Sequence, residues 1–287
     1  MSVLSPADLD FFGKNGYVVA PRVISAEKAG LTAAAVWEYA GADADDPETW
    51  YSEERPGIMV EMYHNQTQWD NRTAERVYGA FSQVLKTKRL LVSHDRVSIS
   101  PPSRDPDAKE KGLHWDMGLE NRPISFGVQG VLYLTDTAAE QGAFVCVPGF
   151  HRRIEDWLDS LPPDADPKQQ DLLGLGTRRI AAEAGDLIIW HIALPHTAGL
   201  NRGSSPRVAQ YITMSPAGDD SEEGRRGRIA FWRDRLSGLG RYEKEREHDE
   251  LPAARLTPLG RKLAGVDPWG DAGGEYGETH FRRRRDR

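Results

Sequence analysis

Apolar positions recur at helical spacing through the first ninety residues and in short alternating or unbroken runs after that. Ser5-Pro6 followed by Asp8 reads as a helix start, a cap and then proline in the first turn. Gly16 ends that helix, and Tyr17-Val18-Val19 reads as a short strand. Ser25 and Lys28 open a second helix that continues through the Ala-rich run from Ala29 to Tyr39. The stretch 41–57 is a loop by its Asp, Pro and Gly content. Val77, Phe81, Val84 and Leu85 lie near helical spacing and predict a third helix over 72–91. Beyond about residue 91 the period changes. Arg96–Ser100, Phe126–Leu134, Ala143–Val147, Asp186–Ile192 and Arg207–Thr213 predict strands bounded by turn residues. The pattern predicts one domain, mainly β with flanking helices. Its parts are a helical region at about 5–91, a β core at about 92–216 with an insertion at about 152–178, and a charged extension at about 219–287. That extension reads as helical and solvated, with a basic interaction tail as the alternative for its HFRRRRDR end.

Composition removes several classes of function. With 44 acidic against 37 basic residues and a net charge of −7, the chain lacks the electrostatic footprint of a nucleic-acid binder. The single cysteine, Cys146, excludes an intrachain disulfide and a zinc site built on several thiolates, and its apolar strand marks it as a buried, inert thiol. No apolar run approaches the ~18 residues of a spanning helix. The N-terminus, MSVLSPADLDFF, has neither the basic nor the long apolar region of a signal peptide. The expectation is a soluble cytoplasmic protein that acts on a small molecule, with no membrane partner and no sequence signal for an oligomeric state.

Chemistry concentrates in a few histidines. In His114-Trp115-Asp116 the first and third residues would share one face of a strand, with Trp115 facing away. Imidazole and carboxylate together suit an exchangeable divalent iron, and a third ligand would complete one face of its coordination sphere. Two histidines compete for that place. His191 and His196 are five apart, so on one continuous strand they would face opposite ways. Between these elements lie GAFVCVPGFH, a strand closing in a Pro-Gly turn, and then AGDLIIWHIALPHTAGLNRGSSPRVAQYITM, a strand, a hairpin and a returning strand headed by Arg207. His64 and His94 have no carboxylate at useful spacing, and His151 reads as structural. No Walker loop, dinucleotide fingerprint or serine nucleophile elbow is present.

Together with the opening FFGKNGYVVAPRVISAEKA, these elements resemble the phytanoyl-CoA dioxygenase family of Fe(II)- and 2-oxoglutarate-dependent oxygenases over about residues 5–215. The resemblance rests on a His-X-Asp pair, a Pro-Gly turn, a distal histidine 80 residues after Asp116 and an arginine 11 residues beyond it. It implies a double-stranded β-helix, a cupin-like jelly roll, holding iron on His114, Asp116 and His196. Spacing to Arg207 favours His196 over His191, which becomes a wall residue. The resemblance assigns Arg207 to the distal carboxylate of 2-oxoglutarate, a pairing its permanently charged guanidinium can make through two parallel hydrogen bonds. Gln129, Val131 and Tyr133 share one face of a strand. The family places a cosubstrate contact near 131, where this chain has valine, so Gln129 or Tyr133 is expected to supply the polar contact. Arg96 and Lys111 are cations near the expected cavity, and Arg202 is expected at the surface.

The implied reaction uses O2 and 2-oxoglutarate to oxidise a C–H bond, with release of succinate and CO2. Asp116 fills a position that halogenating relatives leave open, which disfavours halogenation. Hydroxylation comes first, while desaturation, epoxidation and ring closure need the same ligands. Segments 117–125 and 152–178 are expected to border the pocket, and Glu120, Asn121 and Arg122 suit a polar metabolite or natural-product intermediate. Two other classes compete. A cupin-like isomerase or hydrolase would have no need of Arg207, and a non-catalytic scaffold would have no need of the triad.

Overall fold

The computed structural model describes residues 2–53, 57–219, 221–236 and 252–270. Helix α1 (Pro6–Asn15) starts where its cap predicts. The Ser5 hydroxyl accepts from the Asp8 amide while the Asp8 carboxylate accepts from the Ser5 amide, an arrangement that contributes about 1 kcal/mol. Gly16, at φ 77°, turns the chain into β1 (Tyr17–Ala20), and Ser25 caps α2 (Ala26–Ala40). The next region departs from expectation. Instead of one helix over 72–91 there are β2 (Met59–Val60), α3 (Gln66–Arg72), α4 (Glu75–Leu85) and β3 (Leu90–Val92). Lys86 at φ 54° ends α4, and Leu90-Leu91-Val92 pairs with a distant strand, an apolar triplet that local periodicity cannot assign.

The runs read as strands do form strands: β4 (Val97–Ser100), β5 (Val128–Tyr133), β6 (Phe144–Cys146), β8 (Leu187–His191) and β10 (Arg207–Tyr211). Three further short strands, β7 (Arg178–Ile180), β9 (His196–Ala198) and β11 (Met214–Pro216), complete the pairing. The described residues form a six-stranded sheet in the order β1-β8-β5-β10-β4-β2, a three-stranded sheet β7-β6-β9, and a β11-β3 ribbon. The segment after β6 carries the short helix α5 (Ile154–Ser160).

Period 2 divides the large sheet into two faces. Val128, Leu132, Leu187, Ile189 and Val208 enter one core with Trp69, Val77 and Phe81 of the helices. Val131, Tyr133, Ile188, Trp190 and Ala209 enter a second core with Phe144, Val145 and Cys146 of the small sheet. The strands of the large sheet read as nearly unbroken apolar runs because both faces are covered. Gly130 marks where packing is closest, since a Cβ there would lie 2.8 Å from the Ile212 carbonyl and 2.9 Å from the Phe81 ring.

The extension is helical, as α6 (Glu222–Asp234) and α7 (Pro258–Leu263), but not simply solvated. Leu263 and Ala264 are fully buried, and Phe231 is buried beside Tyr63, His64 and His94. The HFRRRRDR run lies outside the described residues. Among the described residues no helix is long and apolar enough to cross a membrane.

Candidate metal centre and active-site cavity

A two-way backbone bridge builds the centre. The His114 amide donates to the His196 carbonyl and the His196 amide donates to the His114 carbonyl, both at 3.0 Å. This sets the two imidazoles 4.9 Å apart, centroid to centroid. His114-Trp115-Asp116 is not a regular strand, because only His114 pairs. Trp115 performs the anchoring that a strand would have supplied. Its indole is buried, packs on Phe150 and Trp157, and donates to the Ala193 carbonyl at 2.9 Å. With Trp115 held on the far side, Asp116 returns to the side of His114.

The ligating atoms of His114, Asp116 and His196 lie within 4.8 Å of one another, and they form the only such group among the described residues. Each histidine Nε2 faces one Asp116 oxygen, at 3.5 Å for His114 and 3.4 Å for His196. Hydrogen bonds from His114, then His196, then Gln129 hold the Asp116 carboxyl far below the usual carboxylate range, against the opposing effect of burial. His196 Nδ1 donates to the Leu194 carbonyl at 3.0 Å, which leaves Nε2 free to ligate. His191 lies outside the cluster. Its Nδ1 accepts from the Ala193 amide, its ring stands 5.1 Å from His151, and burial lowers its pKa to about 4.

The triad opens on a cavity of about 480 Å³, a size suited to small-molecule ligands. Arg207 lines it from the other side and is almost fully buried. The guanidinium donates to the Gly142 carbonyl at 2.8 Å and the Ser98 hydroxyl at 3.2 Å. Among the described residues its buried Nε has no hydrogen-bond partner and no carboxylate forms an ion pair with it. A buried guanidinium in this condition lacks its counter-charge. The donor set therefore fits both a divalent metal and an anion. Gln129 lines the same cavity, with its amide donating to Asp116 Oδ2 at 2.7 Å. Tyr133 lies beneath Arg207, with its ring centroid 6.0 Å from the guanidinium carbon. The phenol donates to the Ile180 carbonyl at 3.0 Å and accepts from the Phe144 amide at 2.8 Å, and burial pushes its pKa up to about 12. Cys146 is fully buried, which pushes its thiol up to about 12.

Arg96 and Lys111 also line the cavity. Sequence reasoning passed over Asp95, also in the lining, and Glu61, which pairs with Arg96. Neither residue stands in a motif, and the Glu61–Arg96 pair spans 35 positions. Arg202 is exposed, as expected, and donates to the Ala108 carbonyl. Arg122 is tied to Glu155 and Asp159, linking the 117–125 segment to α5.

Residues 12–209 match the phytanoyl-CoA dioxygenase (PhyH) family, more than two-thirds of the chain. The chain belongs to that family. A putative phytanoyl-CoA dioxygenase from Dictyostelium discoideum is 25% identical over 261 residues, covering 72% of this chain and 74% of that protein. Among solved structures, the non-heme alpha-ketoglutarate-dependent carbocyclase SnoK of nogalamycin biosynthesis aligns at 22% identity and TM-score 0.54, covering 75% of this chain and 85% of SnoK. GlcNAc Inducible Gene 2 from Candida albicans aligns over 96% of this chain and 79% of its own at 14% identity, with TM-score 0.72. These structures share the fold of this PhyH-family chain. Its His114–Asp116–His196 group could hold the metal ion that oxidoreductases of this family use.

Proposed function

We propose that the protein is a cytoplasmic Fe(II)- and 2-oxoglutarate-dependent dioxygenase that hydroxylates a C–H bond of a small polar metabolite, releasing succinate and CO2. Its core, about residues 92–216, is read as a double-stranded β-helix whose two faces are the six- and three-stranded sheets. The observation that carries the reading is Arg207, a buried guanidinium with no carboxylate partner among the described residues, lining the same cavity as the His114–Asp116–His196 cluster. A metal-binding barrel without a dicarboxylate cosubstrate has no use for that uncompensated charge.

Each side chain then has a task. His114, Asp116 and His196 hold the iron, and Gln129 keeps the Asp116 carboxylate oriented toward it. Leu194 fixes the His196 tautomer through its carbonyl. Arg207 takes the distal carboxylate of 2-oxoglutarate, while Val131, Phe144 and Trp190 supply apolar walls that exclude water. Bound iron and cosubstrate supply the activation of O2 that C–H oxidation needs. Asp95, Arg96 and Thr213 face the remaining space, which favours a substrate carrying hydroxyl or amine groups over a bare hydrocarbon.

Anaerobic titration of the metal-free protein with Fe(II) and then 2-oxoglutarate tests the assignment. The expected result is a weak visible charge-transfer band. Arg207→Ala is expected to raise the 2-oxoglutarate concentration needed for that band by ~30-fold or more, the scale of removing one partner of a buried charge pair. Iron binding without a band in the unaltered protein overturns the assignment and favours a cupin-like activity.

A further inference from the structure

We propose that Phe231, on α6, is a positioning residue that holds the substrate-facing wall of the cavity in place. The proposal rests on the oxygenase reading of that cavity. Helix α6 lies beyond residues 12–209, the part that matches the family.

The wall residues Asp95 and Arg96 lie in the stretch 93–96 and are backed by the stretch 61–65, both outside any strand. A closed set of polar contacts joins them. Arg96 pairs with one Glu61 oxygen and the Tyr63 phenol donates to the other. From within, the fully buried Arg72 donates to the Tyr63 carbonyl at 2.7 Å and also to the Asp95 carbonyl. Asp95 and Arg96 line the cavity directly. The β2–β4 pair sets the spacing of the two stretches as far as Val60 opposite Val97, and past that pair the contacts between them run through side chains and single carbonyls.

From outside, Phe231 closes the arrangement. It is the only buried side chain of α6, and it enters among three rings. Phe231 stacks on His94 at 4.1 Å and 12°, meets His64 at 4.7 Å, and stands edge-on to Tyr63 at 5.9 Å and 80°. Each of these rings belongs to the wall, since Tyr63 bonds Glu61 and His94 precedes Asp95. At the end of the same helix, His64 Nε2 donates to the Leu236 carbonyl at 2.9 Å. At its beginning, Arg225 donates to the carbonyls of Gly265 and Val266, which fixes α6 to the end of α7. A helix tied at both ends and inserting one aromatic side chain is suited to fix the two stretches where they run past the β2–β4 pair.

The histidine beneath Phe231 supplies a readout that ordinary core packing does not. Burial holds the His94 pKa well below its usual value, helped by Arg72 from α3, Arg228 from α6 and His64, with Asp95 the acidic neighbour along the chain. Removing the phenyl ring opens His94 to water, so its protonation midpoint rises toward the ordinary value.

The test compares full-length wild type, Phe231→Ala and Phe231→Tyr by hydrogen–deuterium exchange and by NMR titration of the His94 ring. In Phe231→Ala, exchange of peptides covering 58–64 and 93–97 is expected to rise at least fivefold. Peptides covering β5 and β8 are expected to stay within twofold, and the His94 midpoint to move up by at least one pH unit. Phe231→Tyr, which keeps the ring, is expected to restore both. The half-saturating 2-oxoglutarate concentration is expected to stay within twofold in Phe231→Ala, because Arg207 is held by Gly142 and Ser98 and by none of the contacts around Phe231. Unchanged exchange in both stretches, or an equal rise across β5 and β8, overturns the proposal. Absence of the 2-oxoglutarate band in the wild type defeats the oxygenase reading instead, and the exchange data then still decide whether Phe231 holds the wall.

Discussion

At the metal end of the cavity, His114 and His196 exchange two backbone hydrogen bonds, and Trp115 is locked behind them in a buried aromatic cluster. At the opposite wall, Glu61, Asp95 and Arg96 lie outside the strands and are held by an ion pair, a buried guanidinium and the insertion of a helix from the far end of the chain. The first construction is fixed through the backbone and a buried indole, as a site for a metal would have to be when ligand positions are kept within a fraction of an ångström. The second runs on from the end of the β2–β4 pair and is held beyond it by side chains. Such a wall can change its lining without disturbing the ligands. The division gives a physical reason for one reaction centre to serve many substrates.

The largest effect should come from breaking the metal end alone. His196→Ala removes one of the three proposed ligands and leaves the wall contacts untouched. It is expected to weaken Fe(II) binding by more than ~100-fold, beyond the 10–100-fold typical of losing a supporting contact behind the ligands. Anaerobic iron titration reads this, with exchange at 58–64 and 93–97 as the control. If that exchange rises along with the loss of iron binding, the two ends are not independent.

Acid sharpens the comparison, because each end has a histidine that burial keeps neutral. His191 sits behind the metal end with its pKa lowered to about 4, and His94 sits in the wall. A lowered histidine binds its proton more readily in the unfolded chain, so stability is full above the ordinary value near 6.5 and falls as pH drops below it. For His191 the loss continues down to about pH 4 and amounts to roughly 2 kcal/mol at pH 5. His191→Gln is expected to flatten the Tm-versus-pH curve of the metal-free protein between pH 7 and 5. An unchanged slope would show that His191 does not drive the acid loss.

The same division explains what could be read along the chain. Turn residues and period 2 were enough for β4, β5, β8 and β10, and caps were enough for α1 and α2. His114, Asp116, His196 and Arg207 stand in spaced motifs on or beside those strands, and the fold brings all four to one cavity. The wall left no such trace. Glu61 and Arg96 meet only because β2 joins the sheet beside β4, a two-residue strand too short to show a period. Phe231 sits in a helix dense in charge, whose composition points to a solvated surface. Lys86 in the left-handed region and the short β3 divided what periodicity had merged into one helix. Local pattern finds elements that bury a whole face, and it misses those joined to the fold through one or two side chains.

Tyr133 provides the finest test of where the metal end stops. Strand parity places it on the same face as Gln129 and Val131, and the family pattern makes it a candidate contact for 2-oxoglutarate. In the structure its hydroxyl bridges two strands, donating to Ile180 in β7 and accepting from Phe144 in β6. Gln129 and Val131 line the cavity directly. Tyr133→Phe keeps the ring under Arg207 and removes only the bridge. It leaves the Phe144 amide and Ile180 carbonyl short of a partner, at an expected cost of about 1–3 kcal/mol in stability. The half-saturating 2-oxoglutarate concentration, read from the charge-transfer band, is expected to stay within twofold. Chemical denaturation and the band titration separate the two possible roles. A tenfold weakening of 2-oxoglutarate binding with stability intact would place the hydroxyl on the cosubstrate, whereas lost stability with unchanged binding would make Tyr133 part of the frame that carries Arg207.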